Sequence, residues 1–131
     1  MRMWGVDPKV LCTRHLSGEH AEMHMFAGTI KKGIRLTGYI QKGEVETDKI
    51  KERHDELAAE LSRRTQELLD RGVKLKKTRT IEHKSPMDEN PFYPEVGKID
   101  RFKNLQNLRD RCPACAKLQA EKSIRENPES W

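Results

Sequence analysis

His15, Glu19 and Glu22 fall at i, i+4 and i+7, so any helix that carries them projects all three from one side. Glu22 sits between Ala21 and Met23, with Met25 and Phe26 close behind. A carboxylate in such semi-apolar company can have a raised pKa, which suits general acid–base work. The plainer reading of Glu22 is a solvated helix glutamate. A second reactive group lies in the segment Met1-Arg2-Met3-Trp4. A long side chain such as Arg2 generally prevents removal of the initiator methionine, so the free α-amine is expected on Met1. An α-amine has an unperturbed pKa near 8, about two units below lysine. In an electropositive site it falls further, and the unprotonated amine is a competent nucleophile.

Cys112-Pro113-Ala114-Cys115 is a lone CxxC pair. A structural zinc site needs four ligands, usually from a second pair. Only Cys12 and the histidines His15, His20, His24, His54 and His83 could complete one. The expectation is therefore a capped helix start with two reduced thiols, and no metal. Redox chemistry has less support, because no βαβ pattern surrounds the motif. No Gly-rich phosphate loop, GxSxG elbow or HExxH motif is present, so the common nucleotide-hydrolase, serine-hydrolase and zinc-protease templates have no foothold.

The chain has 131 residues, 34% hydrophobic and 36% charged, so its core must be small and confined to a few helical stripes. No apolar run exceeds three residues, which excludes a membrane span and a cleaved secretory signal. Three cysteines fit a reducing cytosol better than a secreted disulfide scaffold, and a cytoplasmic location is expected. The net charge of +5 is carried by residues 71–84, where six Lys/Arg face the single acid Glu82. Such a stretch is the footprint of a polyanion partner, since Lys and Arg release counterions from phosphates; a solvated loop is the alternative.

Periodicity supplies the elements that must hold these groups. Asp7-Pro8 reads as a helix start, and Thr13 can recap a longer helix over residues 14–32. Leu16, Met23, Ala27 and Ile30 form its buried face, and Gly33 stops it. Residues 34–45 read as a connection. From about Thr47 to Arg71, Ile50, Leu57, Leu61 and Leu68 share one helical face, with Gly72 as the stop. Residues 73–98, with Pro86, Pro91 and Pro94, predict an ordered but irregular crossing. Phe102, Leu105 and Leu108 mark a short helix near 100–111, and Pro113 restarts a last one with Leu118 and Ile124 facing inward. No segment reads as a strand. The expected fold is a small all-α single domain of three main helices with irregular connections.

On these residues the sequence resembles the pyrimidine dimer DNA glycosylase family, typified by phage endonuclease V. The resemblance rests on MRMWGVDPKVL at the amino terminus and on L…HL..E..E in the first helix. It extends to RHDELAAEL…RR in the second helix and HKSP at 83–86. A weaker similarity runs through NLQNLRDRCPACAKL to Trp131. The family's catalytic glutamate matches Glu22, and counting back from it places the nucleophilic amine on Met1. His15 matches a histidine of the same pocket, and Arg2 an arginine near the DNA. Two family arginines that flank the glutamate and contact phosphates are replaced here by Ala21 and Met25, while Arg14 stands where the family has an amide residue.

The resemblance implies a bifunctional glycosylase and abasic-site lyase without metal or organic cofactor, working on DNA as a monomer. In that chemistry the terminal amine displaces the base from the sugar, and β-elimination then cuts the backbone. Residues expected to touch DNA are Arg2, Arg14, His15, Lys31, Lys32, Lys74, Lys76, Lys77 and Lys117, with Arg35 extending the same surface. Their phosphate contacts would position the duplex without reading its sequence. Two other classes remain open at this point: a non-catalytic DNA-binding protein of the same fold, and an unrelated helical interaction module.

Overall fold

The computed structural model describes residues 2–74, 85–91 and 93–126, with side chains to residue 122. Five helices account for its regular structure: α1 (Thr13–Lys31), α2 (Thr37–Gln41), α3 (Ile50–Asp70), α4 (Arg101–Arg111) and α5 (Pro113–Glu126). Short 3₁₀ turns at Pro8–Val10 and Thr47–Lys49 precede α1 and α3. No strand occurs among the described residues. The all-α expectation holds, and the helix near 100–111 and the one restarted at Pro113 form as α4 and α5, parted at Cys112.

The helix ends follow their local chemistry. Asp7 accepts the Lys9 N–H at 3.0 Å, and Asp100 caps α4 by accepting the Lys103 N–H at 3.0 Å. The residue at the start of α1 is Cys12 rather than Thr13, and it makes no side-chain cap hydrogen bond. Gly33 and Gly72 adopt φ of +73° and +77°, the left-handed stop expected of them. The stretch read as a connection at 34–45 contains α2, a single short turn too brief for periodicity to reveal.

α1 packs chiefly on α3, with Leu16, Met23, Phe26 and Ala27 against Ile50 and Leu57 in one core. Ile30 and Leu61 are only partly covered, and Leu68 and Phe102, expected to face inward, are exposed. Leu68 lies in the last turn of α3, beyond the reach of α1 packing; Ile124 falls outside the described side chains.

The amino-terminal segment is stitched into this core along its length. Met3, Val6, Val10 and Leu11 are buried, the Met3 N–H donates to the Glu44 carbonyl at 2.7 Å, and the Asn104 side chain donates to the Trp4 carbonyl at 2.9 Å. Gly5, at φ +69°, lies so close to Ile99 that a Cβ there would come within 2.3 Å of its Cδ1. The Arg64 guanidinium gathers the carbonyls of Pro8 (3.1 Å) and Leu11 (2.6 Å) onto α3. The returning end of the crossing is pinned as well: the Thr47 hydroxyl donates to the Glu95 carbonyl and its N–H to the Val96 carbonyl, and the Tyr93 hydroxyl accepts the Leu36 N–H. The tip of the crossing, with Lys76 and Lys77, lies outside the described residues.

Candidate active site

Glu22 stands in the middle of α1, half-buried, and its Oε2 accepts the backbone N–H of Arg2 at 2.9 Å. The Arg2 guanidinium lies over the Trp4 ring, 4.8 Å from its centroid. Burial pushes the Glu22 carboxyl above the ordinary carboxylate range, with the negative charge of Glu19 adding to it; the Arg2 N–H and nearby positive charge pull the other way. A carboxyl raised in this way is better suited to take up and return a proton than an ordinary one.

One turn before it, Glu19 is fully buried and bound at two points by Arg53 of α3, Nε to Oε2 at 2.6 Å and Nη2 to Oε1 at 2.9 Å. Arg53 also donates to Glu56 at 2.7 Å. The expectation that His15, Glu19 and Glu22 face one site is met only in part, because Glu19 is spent on this pair. His15 turns to a third environment: its Nδ1 lies 3.1 Å from Cys12 Sγ and 3.5 Å from Cys115 Sγ, with the Trp4 ring edge-on. Burial, then the charge of Arg14, holds its imidazole below the ordinary histidine value, which favours the neutral ring.

The profile of the family described as Pyrimidine dimer DNA glycosylase matches residues 1–80, which contain this carboxylate, the segment it holds and both helices beneath them. The chain belongs to that family. No curated protein and no solved structure matches it. Membership makes the protein a DNA glycosylase with DNA as its substrate.

For a glycosylase, the surface around Glu22 is sparing in charge. Ala21 and Met25, on either side of Glu22, are solvent-exposed side chains of α1. Arg14, Lys32, Lys74 and Lys117 are exposed, and Lys31 is exposed but donates to the Pro86 carbonyl, tying α1 to the crossing. A cleft of about 550 Å³ between the Asp7–Lys9 turn and α3 is lined by Asp7, Glu56 and Glu60 against Lys9 and Arg63. Glu22 is not among its lining residues.

Among the described residues, two clusters could hold a metal ion. His20 and His24 of α1 meet His54 of α3, whose Nε2 is 3.0 Å from His24 Nε2 and whose Nδ1 pairs with Asp55 at 2.8 Å. Cys12 and His15 meet Cys112 and Cys115. Sequence reasoning named Cys12 and the five histidines as the residues that could complete a site, but read Cys112/Cys115 as a capped helix start without metal. The partner was legible as Cys12-Thr13-Arg14-His15, a C-x₂-H at the same spacing, but only folding brings the halves together across about 100 residues of chain.

Proposed function

We propose that this glycosylase removes damaged or modified pyrimidines from DNA and cleaves the resulting abasic site, with the Met1 α-amine as nucleophile and Glu22 as its acid–base partner. The observation that carries the reading is the 2.9 Å bond from the Arg2 N–H to Glu22. Three covalent bonds separate that nitrogen from the α-amine, a reach of less than about 4 Å, so a carboxylate that holds one is within range of the other.

In the proposed reaction the amine lone pair forms a bond to the sugar C1′ and the glycosidic C1′–N bond breaks, its electron pair leaving with the base. The added nitrogen gives one proton to Glu22, and its lone pair forms the C1′=N bond. The C1′–O4′ bond breaks with its pair staying on O4′, which takes that proton back, leaving an open-chain iminium. This electron sink acidifies a C2′ proton; Glu22 takes it, and the C3′–O bond breaks with its pair leaving on the 3′ phosphate. Water then hydrolyses the imine and restores the amine. Reaching C1′ in a duplex requires extrusion or kinking, at a cost of a few kcal/mol that a damaged, unstacked base reduces. The exposed cations of α1 and the crossing supply sequence-independent grip.

The test is incubation with abasic duplex DNA and borohydride. A covalent adduct mapping to Met1 is expected. Absence of an adduct with DNA retention intact would transfer the protein to the second reading, a DNA-binding member without catalysis, which the missing flanking arginines alone do not favour. Acetylating the α-amine should stop the reaction, whereas full activity afterwards would point to a lysine or to no covalent step.

A further inference from the structure

We infer that Cys12, His15, Cys112 and Cys115 form a structural zinc site that fastens the α4–α5 hairpin to the start of α1. Their four ligand atoms all lie within 4.8 Å of one another. With Zn–S near 2.3 Å and Zn–N near 2.05 Å, a tetrahedron has edges of about 3.8 Å between sulfurs and about 3.5 Å between sulfur and nitrogen. The observed separations are 3.8 Å for Cys12 Sγ to Cys112 Sγ, and 3.1 Å and 3.5 Å from His15 Nδ1 to Cys12 and Cys115. Three soft sulfurs and an imidazole in this shape select zinc among the common cations.

The surroundings fit the ion as closely as the ligands do. Each half of the site, C-x₂-H and C-x₂-C, straddles the first turn of a helix, α1 and α5, where the positive end of the helix dipole favours thiolate. The Cys12 N–H points at Cys115 Sγ (3.2 Å) and the Cys115 N–H at Cys112 Sγ (3.5 Å), outer hydrogen bonds that fix sulfur ligands and soak up their charge. Cys115 is fully buried, and the Trp4 ring edge covers His15. A disulfide explains less: it would need the sulfurs at about 2.05 Å, would leave one thiol over, and gives the imidazole no role. Four protein ligands close the coordination sphere, so the ion is structural rather than catalytic.

The site also accounts for how the carboxy-terminal helices are held. The family profile ends at residue 80, whereas α4 and α5 lie beyond it. In a chain with 34% hydrophobic residues, a metal staple would add to the attachments that α4 already makes through Leu108, Asn104 and Arg101. On binding, each thiol yields its proton to solvent and the sulfur pair becomes the metal bond.

The inference stands apart from the proposed reaction, because its readout is the metal itself. The full-length chain, purified without chelator, should carry one zinc per molecule by elemental mass spectrometry. Replacement with Co²⁺ should give intense thiolate-to-cobalt charge transfer and the ligand-field bands of a tetrahedral ion. Cys112→Ser and His15→Asn should each lose most of the metal, while His24→Gln, in the other histidine cluster, should retain it. The wild-type cobalt spectrum needs no variant to fold. No zinc, and no charge-transfer band when the reduced wild-type chain is titrated with Co²⁺, would overturn the inference. Metal that survives Cys112→Ser and disappears in His24→Gln would overturn it equally.

Discussion

Glu19 and Arg53 form a two-point ion pair across the α1–α3 interface, both side chains buried, one helical turn before Glu22. The pair fixes the rotation of α1 on α3, and with it the direction in which Glu22 emerges. Removing one partner leaves an unpaired charge in the core, so Arg53→Met should cost about 3–5 kcal/mol, read by chemical denaturation. The double change Glu19→Leu with Arg53→Met should recover most of that loss, since two apolar groups leave no orphan charge. Equal destabilisation of the single and double variants would show that packing volume, not charge, is what the pair provides.

Glu22→Gln should reduce strand cleavage by two orders of magnitude or more, on the order expected for a lost acid–base group, while DNA retention in a filter assay changes little. The same variant should be slightly more stable than the parent at pH 7. Burial raises the folded-state pKa of Glu22, so the ionised form disfavours folding above that pKa and the penalty vanishes as the pH falls and the group protonates. The melting-temperature gain should therefore shrink on acidification. A gain that grows instead would reverse the assigned direction, and retained cleavage would remove Glu22 from the mechanism.

Acid should loosen the amino-terminal segment through Glu46. Burial alone would raise its pKa, but the Arg101 guanidinium (Nη2 to Oε1 at 2.6 Å), the Ile99 N–H and Lys49 outweigh that and hold it below the ordinary value. A depressed folded pKa means stability that is present above the ordinary carboxylate range and lost as pH falls through the lowered value. Arg101 also donates to the Gly5 carbonyl, so hydrogen-exchange protection near Gly5, relative to the intrinsic rate, should fall in that window. Glu46→Gln should exchange faster at pH 7 and lose that acid dependence.

Gly97 adopts φ +75°, and a Cβ there would lie 2.4 Å from the Val45 carbonyl oxygen. Gly97→Ala should destabilise the protein by more than the roughly 1–2 kcal/mol of left-handed backbone cost alone. Gly72, at φ +77° but with open space around it, should lose only the backbone component on the same substitution. Thermal melts of the two variants give the comparison, and equal losses would mean that the Val45 carbonyl yields freely.

Neutralising Lys74, Lys76 and Lys77 together should weaken DNA binding across all sequences. It should also flatten the slope of log affinity against log salt by up to about 0.9 for each phosphate that the variant no longer neutralises. An unchanged slope would make the crossing a solvated loop and leave the grip on DNA to α1.

Much of the scaffold was readable before folding. The positions of α1 and α3, the glycine stops and the break at Pro113 depend on local rules, namely apolar spacing, backbone freedom and the missing proline N–H, and these act within a few residues. The semi-apolar setting of Glu22 was legible too, from its neighbours Ala21, Met23 and Phe26. What local pattern could not supply was partnership. Leu68 and Phe102 share the spacing of core residues yet face solvent, because periodicity defines a face but not whether another element covers it. Glu19, Arg53 and His54 look like surface residues and are buried, because each finds its counter-group on the opposite helix. Cys12 and His15 acquire Cys112 and Cys115 in the same way. Ion pairs and ligand sets are made between segments distant in sequence, so their energy exists only once tertiary packing has excluded water and brought the partners within a few ångströms.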